Sequence, residues 1–321
     1  MKKHNITLYD KYNYDYSAYW QSREYEHSAE VHALQGIFKK ISGGWFVDIG
    51  GSYGRHIPLY YQKFHNCILL DYSVKSLQKA RETLKKQGIS NVYCVAANAY
   101  HLPLKSESID TAMVVRVLHH IEDPDSFFEE VRSILKPNGH FILEFANKNN
   151  IKAILRSIFT FKFSRIFSDA PINVPTAKPE GARTTDPGLM YNFSYVFLRK
   201  LLVSHEMILN RTYPVSFLRI PGLKRLLSYS LLTRTEFLFQ SLLGWSRVTP
   251  SIIISSQRRS PPIDQPRDTS NEPSTLTDIL VCPSCKSALE WKGSRIQCTS
   301  CSEVYSQAHG VIDVRYPKIQ T

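Results

Sequence analysis

The chain has no long hydrophobic run. None of its stretches approaches the roughly 18 uninterrupted apolar residues that a membrane-spanning helix needs. It has no internal repeat, and outside one proline-rich stretch it has no low-complexity tract. Residues 1–16 are polar and rich in tyrosine, without the apolar core of a secretory signal peptide. These absences exclude a membrane-spanning protein and a repeat protein, and we expect a cytoplasmic location.

Charge is distributed unevenly along the 321 residues, a length that suits one large and one small domain. The net charge is +12, and residues 148–258 alone carry +11 of it. Because this segment is both basic and apolar, it could lie on a membrane surface or bind an amphiphilic, anionic substrate. Nucleic acid is another acidic partner that the composition allows. Ordinary lid helices with solvated charges are the alternative explanation.

An apolar strand runs into a glycine-rich turn at residues 47–54, which read Val-Asp-Ile-Gly-Gly-Ser-Tyr-Gly. A second apolar run then ends in Asp71. A strand, a tight turn, a helix and a second strand ending in an acid describe a nucleoside-binding βαβ unit, whose acid binds ribose hydroxyls. Asp48 stands just before the first glycine and would repel a pyrophosphate. The turn therefore favours a nucleoside with a cationic end, such as S-adenosylmethionine, over a dinucleotide.

Three later segments extend this pattern: residues 92–104, residues 108–124 with Arg-Val-Leu-His-His at 116–120, and residues 135–145 with Pro-Asn-Gly at 137–139. In order and spacing, residues 1–258 resemble the class I S-adenosylmethionine-dependent methyltransferases, particularly those of the ubiquinone/menaquinone-biosynthesis type. The resemblance implies an α/β fold with a seven-stranded, mainly parallel, Rossmann-like sheet and helices on both faces. Apolar periodicity independently predicts alternating strands and helices, with the last two strands near residues 208–213 and 248–255.

The resemblance also implies an S-adenosylmethionine site at the carboxyl ends of the strands. Asp48 would orient the ammonium group of the cofactor, and Asp71 would bind its ribose. Asn98 stands where the family has an aspartate beside the adenine amino group, and its carbonyl oxygen can still accept that hydrogen bond. The expected cofactor-binding residues are Asp48, Gly50, Gly51, Gly54, Asp71, Tyr72, Asn98, Ala99 and Arg116.

Methyl transfer from a sulfonium mainly requires that the acceptor be aligned and water excluded. His119 and His120 follow the fourth strand and are the candidate catalytic residues, as a base or as groups that orient the acceptor. Capping a helix or packing beneath the cofactor is their alternative role. An acceptor pocket is expected from an aromatic N-terminal helix and a later tyrosine, although simple packing on the sheet would also explain them; these residues are Tyr19, Trp20, Arg23, Tyr25 and Tyr191.

Four of the six cysteines form two Cys-x-x-Cys pairs. Cys282 and Cys285 are separated by twelve residues from the second pair, which is Cys298 and Cys301. This spacing suits tetrahedral thiolate coordination of a structural zinc ion, and a cytoplasmic location argues against disulfides. The surrounding residues resemble small zinc-ribbon activator proteins that accompany some methyltransferases of translation components. The resemblance implies a ribbon that regulates its own catalytic domain or recruits a partner.

The sequence therefore predicts a methyltransferase domain at residues 1–258, with substrate or lid insertions at 148–190 and 214–246. A proline-rich linker at 259–275 and a zinc-ribbon domain at 276–321 would follow. The expected function is methyl transfer from S-adenosylmethionine to a small, amphiphilic or lipid-linked acceptor, with peripheral membrane contact through residues 148–258. Methylation of RNA or of a translation protein is one alternative. A non-catalytic scaffold with a recruiting ribbon is the other, and the acceptor atom and oligomeric state stay open.

Overall fold

The structure is a computed structural model that describes residues 16–174, 190–260 and 273–317. Its helices are α1 (Tyr16–Gln21), α2 (Glu24–Phe38), α3 (Ile57–Tyr60), α4 (Val74–Lys86), α5 (Pro124–Ile134), α6 (Ile151–Phe159), α7 (Ser164–Phe167), α8 (Tyr195–Ser204), α9 (Pro221–Leu226), α10 (Tyr229–Leu242) and α11 (Leu276–Ile279). Its strands are β1 (Gly43–Ile49), β2 (Phe64–Asp71), β3 (Val92–Ala96), β4 (Ile109–Val114), β5 (Leu135–Ala146), β6 (Ile172–Asn173), β7 (Tyr191–Asn192), β8 (Met207–Val215), β9 (Ser251–Arg258), β10 (Leu289–Lys292), β11 (Arg295–Cys298), β12 (Val304–Ala308) and β13 (Val311–Asp313).

Seven strands form the central part of the main sheet, in the order β3-β2-β1-β4-β5-β9-β8. The pairings from β3 to β5 are parallel, whereas β9 pairs antiparallel with β5 and β8. Parallel neighbours need crossover connections, which here contain helices such as α4 and α5. Side-chain caps begin both helices: Ser73 accepts from the Ser76 amide at 3.1 Å, and Asp123 precedes Pro124. The predicted α/β alternation is confirmed, including both late strands.

The sheet as a whole has 11 strands, so the expected count of seven is wrong, and it is mixed in direction. The extra strands β10 to β13 come from the C-terminal segment, and β13 runs parallel to β3 with Val311 opposite Cys94 and Asp313 opposite Ala96. An edge strand offers unpaired backbone donors and acceptors to any strand that reaches it. The sequence of β3 does not reveal which strand will do so.

The C-terminal segment shares one hydrophobic core with the larger sheet. Ile279 and Ile296 are fully buried within that core. The Lys105 amide donates to the Ile279 carbonyl at 2.8 Å, and the Lys286 ammonium donates to the Leu102 carbonyl at 2.8 Å. The expected division at residues 259–275 remains a prediction, since residues 261–272 lie outside the described part of the chain.

The two expected insertions contain α6 and α7 after β5, and α9 and α10 between β8 and β9. Helix α10 is held against α2 because the Tyr25 hydroxyl donates to the buried Glu236 carboxylate. Within the three described ranges, no helix combines the length and hydropathy needed to cross a bilayer.

Candidate functional site

A pocket lies where the carboxyl ends of β1, β2, β3 and β4 meet. Ligands of open α/β sheets bind at this edge because the strand ends and the following loops converge there. The pocket wall includes several of the residues expected from the sequence: Gly50, Gly51, Asp71, Tyr72, Asn98, Ala99, Arg116 and His120. These expected residues lie together in the pocket wall, although up to 70 positions separate them along the chain.

The glycine turn leaves no room for larger residues. Gly50 has a φ of +74°, and a Cβ atom at Gly51 would lie 2.4 Å from Leu69 Cδ1 and 2.8 Å from Asp48 Cγ. Gly54 has a φ of +81° but lies behind the pocket wall, against Ile57. A bare backbone at the first two glycines therefore forms a cradle that a ligand can approach closely.

Asp71 ends β2 with its carboxylate held by backbone donors. The Ser52 amide donates to Oδ2 and the Ser73 amide donates to Oδ1, each at 2.8 Å. Ser52 occupies a left-handed conformation, with φ of +52°. This conformation aims its amide at Asp71, so the two loops that end β1 and β2 are joined at the pocket floor.

Asp48 is buried and does not line the pocket. Burial raises the pKa of Asp48 to about 7, although the Tyr60 hydroxyl donates to its Oδ2 at 3.3 Å and Arg55 favours its ionised form. The negative charge of Asp71 raises the pKa further. A cation bound near both carboxyl groups would therefore be favoured by the charge of one and by ionisation of the other.

A cluster of buried charges closes the pocket on the side of the N-terminal helices. Arg116 has a left-handed backbone, with φ of +62°, and its amide donates to Glu144 Oε2 at 3.0 Å. Its guanidinium donates to Glu30, which also accepts from Arg55 Nη2 at 2.8 Å. Burial alone would raise the pKa of Glu30, yet the two arginines hold that pKa below its ordinary value. The Arg55 guanidinium lies 3.6 Å from the Trp20 ring centroid.

The two candidate catalytic histidines differ in position. His120 lines the pocket, whereas His119 is buried and does not. Burial, His120 and Arg116 lower the pKa of His119 well below its ordinary value, so its imidazole is neutral near pH 7. The sequence analysis missed Arg55 and His56, which also line the pocket. Their position could have indicated this role, because the two residues directly follow the last glycine of the turn.

The expected acceptor-pocket residues do not line this pocket. Trp20 comes nearest, since it stacks on the pocket residue Arg55. The Arg23 guanidinium lies over the Tyr19 ring at 4.1 Å, and the Tyr25 hydroxyl is used to join α2 to α10. Tyr191 belongs to the small hairpin of β6 and β7, where its ring packs near Phe193. The structure therefore places these side chains around the closing helices and hairpin.

The C-terminal segment reaches the pocket wall, which the sequence did not predict. Asn98 Nδ2 donates to the Tyr316 carbonyl at 3.1 Å, while its Oδ1 accepts from the Tyr100 amide at 3.0 Å. The Arg315 guanidinium lies 5.3 Å from the centroid of the Tyr72 ring. Because Asn98 and Tyr316 are 218 residues apart, no local pattern could have indicated this contact. One lone pair of Asn98 Oδ1 is still able to accept a ligand donor.

The four cysteines of the C-terminal segment converge on one point, with their sulfur atoms all within 4.8 Å of one another. The Cys282 and Cys301 sulfurs are 3.6 Å apart, and those of Cys285 and Cys298 are 3.4 Å apart. Tetrahedral zinc with Zn–S bonds of about 2.3 Å requires sulfur separations of about 3.8 Å, close to these values. Amides of the second knuckle point at the Cys298 sulfur, as thiolate stabilisation requires. The cluster could hold a metal ion.

Comparison with known proteins agrees with this geometry. The family model described as "Methyltransferase domain" matches residues 47–143. The tRNA 5-carboxymethoxyuridine methyltransferase of Escherichia coli is 25% identical over 151 residues, covering 45% of this chain and 55% of the relative. The ubiquinone/menaquinone biosynthesis C-methyltransferase of Haemophilus ducreyi is 31% identical over 81 residues, covering 25% and 31%. This chain spans only 34% to 64% of the length of four curated relatives that it matches.

Among solved structures, the complex between the Haloferax volcanii Trm112 methyltransferase activator and a methyltransferase superposes with a TM-score of 0.53. The sequences are 15% identical, and the superposition covers 79% of this chain and 97% of that chain, so the likeness concerns the fold alone. The matched segment contains the end of β1, the glycine turn, Asp71 and Arg116, which contribute to the pocket. Residues 47–143 are therefore similar to the methyltransferase domain family, and the chain shares the fold of a solved methyltransferase complex.

Proposed function

We propose that this protein transfers a methyl group from S-adenosylmethionine to a small acceptor that is amphiphilic or lipid-linked. One observation carries the proposal: Asp71 ends β2 at the pocket with both carboxylate oxygens oriented by backbone amides. A carboxylate in this place can accept hydrogen bonds from two adjacent ribose hydroxyls. The fixed orientation removes the entropy cost of ordering it when the nucleoside binds.

The cradle also fits the cofactor beyond its ribose. Gly50 and Gly51 would accommodate the methionine part, since their backbone carries no side chain that blocks approach. Asp48 would favour the ammonium group, and Asn98 Oδ1 would accept from the adenine amino group. When bound, S-adenosylmethionine supplies an electrophilic methyl group on a good leaving group. The protein then has to position the acceptor and exclude water.

Three further side chains of the pocket wall could contact the acceptor: Arg55, His120 and Arg116, which was expected to contact the cofactor. Arg116 is fixed by Glu30 and by its own strained backbone, so it offers a rigid cationic surface to an anionic part of the acceptor. His120 would orient the acceptor or accept its proton if the acceptor atom carries one. His119 instead supports this loop from beneath, because it is buried and neutral.

We also propose that Cys282, Cys285, Cys298 and Cys301 bind zinc and that the metal keeps the ribbon folded. The segment packs Ile279 and Ile296 into the core of the larger sheet, and thiolate coordination would add stability by joining its two cysteine pairs. A folded ribbon would hold β13 against β3 and Tyr316 against Asn98. The ribbon would thereby stabilise the catalytic domain of its own chain. We place the protein in the cytoplasm in this proposal, where thiols stay reduced.

A second candidate function is methylation of RNA or of a translation protein. It is favoured by the Escherichia coli relative, which is named for a tRNA substrate, and by the +11 charge of residues 148–258. A third candidate, a scaffold without catalysis, would retain the fold but make no use of the bare glycine cradle. Transfer of labelled methyl into lipid, RNA, protein and small-molecule fractions of a cell extract separates the first two functions.

The cofactor part of the proposal is tested by calorimetric titration with S-adenosylmethionine and its demethylated product. Asp71→Ala should weaken both by about 100-fold, since two charge-assisted hydrogen bonds are lost at about 1.5 kcal/mol each. Glu82→Gln on the exposed face of α4 is the matched control and should bind as the wild type does. Equal affinity in Asp71→Ala and wild type, or tighter binding of a phosphorylated nucleotide, would overturn the assignment.

A further inference from the structure

The two insertions expose many large apolar side chains. In the α6–α7 segment, Phe159, Phe161 and Phe167 are 78%, 81% and 80% exposed. Ile151, Leu155, Ile158 and Phe163 of the same segment are also exposed. Single exposed apolar residues are common on protein surfaces, but seven within 17 consecutive positions form a patch, and such patches mark interaction sites.

Helix α10 buries two polar side chains and exposes several leucines, although Leu232 is also buried on its inner face. Its inner face buries Glu236 and Gln240, whose side chains are hydrogen-bonded to each other and to neighbouring groups. Leu231, Leu238 and Leu242 are exposed and lie on one outer face, since positions separated by seven and four residues align on a helix. A helix that turns carboxylate and amide inward and leucines outward is suited to an apolar environment outside the protein.

The two insertions meet at the same end of the molecule. The Ile151 amide donates to the Val248 carbonyl at 2.7 Å, and the Lys152 ammonium donates to the Arg219 carbonyl at 2.7 Å. Trp245, three residues from this junction, is 77% exposed. The Arg219 Nε atom lies 3.6 Å from Glu26 Oε1 on α2, the helix that also carries Glu30, the partner of Arg116 in the pocket wall. The exposed apolar surface thus begins beside the charge cluster that closes the pocket.

The charge of the surface identifies its partner. Between residues 148 and 168 there is no aspartate or glutamate, and Lys152, Arg156, Lys162 and Arg165 are exposed among the aromatic rings. A second copy of this chain would bring like charges together. Nucleic acid would complement the lysines and arginines but not the exposed leucines and isoleucines. Anionic lipid headgroups complement the charges while the acyl boundary accepts the apolar side chains.

We propose that the α6–α7 segment and the outer face of α10 together form a docking surface for an anionic lipid bilayer. The phenylalanines enter the interface, and the long basic side chains extend to the headgroups. This inference goes beyond methyl transfer, because it requires neither cofactor nor acceptor. Docking would present the pocket opening to an amphiphilic acceptor that resides in the lipid.

The test is sedimentation of the full-length protein with vesicles of phosphatidylcholine and phosphatidylglycerol, compared with vesicles of phosphatidylcholine alone. The protein should bind the anionic vesicles, more weakly at high salt. The double variant Phe159→Ser, Phe161→Ser should bind the anionic vesicles at least about tenfold more weakly than the wild type, because two exposed rings are removed. Leu238→Ser combined with Leu242→Ser tests α10 in the same way.

Val203→Ser is the matched control, because Val203 is 66% exposed on α8, which packs on the opposite face of the sheet from α2. It should bind vesicles as the wild type does. Equal binding by all variants, no binding by the wild type, or a dimer that dissociates in the phenylalanine variants would overturn the proposal. Cofactor affinity, measured on the same samples, should be unchanged, so failure here is distinct from failure of the methyltransferase assignment.

Discussion

The elevated pKa of Asp48 makes cofactor affinity depend on pH in a direction that can be worked out. Burial raises this pKa to about 7, so the free protein holds a proton on Asp48 at pH 6. A bound ammonium group favours the ionised carboxylate, and binding should therefore release that proton. Affinity should rise with pH up to about 7 and decline again near pH 8, where the ligand's own α-amino group loses its proton.

The size of the effect follows from the fraction of Asp48 that must ionise. With a pKa of about 7, about one molecule in ten is ionised at pH 6, so the apparent affinity should be about tenfold weaker there than its limiting value. At pH 7 the loss should be about twofold. Burial keeps the pKa values of His56 and His119 well below 6.5, so neither residue contributes a second step in this range.

Calorimetry in two buffers of different ionisation enthalpy measures both the affinity and the number of protons released. Asp48→Asn is the matched variant, because the amide oxygen can still accept from Tyr60 while the titration is removed. Its pH profile should be flat between pH 6 and 7. A flat profile in the wild type, or an unchanged slope in Asp48→Asn, would refute the assigned role of this carboxyl group.

Three further predictions concern the cradle, the charge cluster and the ribbon. Gly51→Ala should weaken cofactor binding in calorimetry, because its Cβ would lie 2.8 Å from Asp48 Cγ and 2.4 Å from Leu69 Cδ1, whereas Gly222→Ala, with no atom within 4 Å, should bind normally. Glu30→Gln should lower the free energy of unfolding in urea by about 3 kcal/mol, since two arginines lose a buried partner; a loss below about 1 kcal/mol would contradict this. The proposed zinc site predicts that Cys285→Ser, or treatment with a chelator, increases amide hydrogen exchange in β13 and weakens cofactor binding; unchanged exchange would contradict a role for a metal in folding the C-terminal segment.

The local patterns of the sequence were sufficient for much of the fold. Apolar periodicity predicted the alternation of strands and helices and both late strands. Strand β5 nevertheless begins at Leu135, before the expected Pro-Asn-Gly turn, because pairing with β4 starts at Ile109 opposite Leu135. Boundaries set by a neighbouring strand are not encoded in the strand's own residues.

The pocket could be predicted in part for a related reason. Gly50, Asp71 and Asn98 each follow a predicted strand, and parallel strands deliver their carboxyl ends to one edge. The roles of Arg55 and Glu30 could not be predicted, since their pairing depends on how α2 folds over that edge. The sequence did not indicate which way the side chains of the expected acceptor residues Tyr19 and Tyr25 would face, because a helix can turn an aromatic side chain toward the core or toward a ligand.

The sequence by itself determined the βαβ order, the glycine turn after β1, the acid that ends β2, and the paired cysteines, because each is a local arrangement of residue types at fixed spacing. Only the tertiary structure decided that the C-terminal segment adds strand β13 to β3 and brings Tyr316 to Asn98. That contact joins distant parts of the chain through backbone groups that every residue carries. Hydrogen bonding between backbones leaves no mark in side-chain chemistry, so it becomes visible only when the chain is folded.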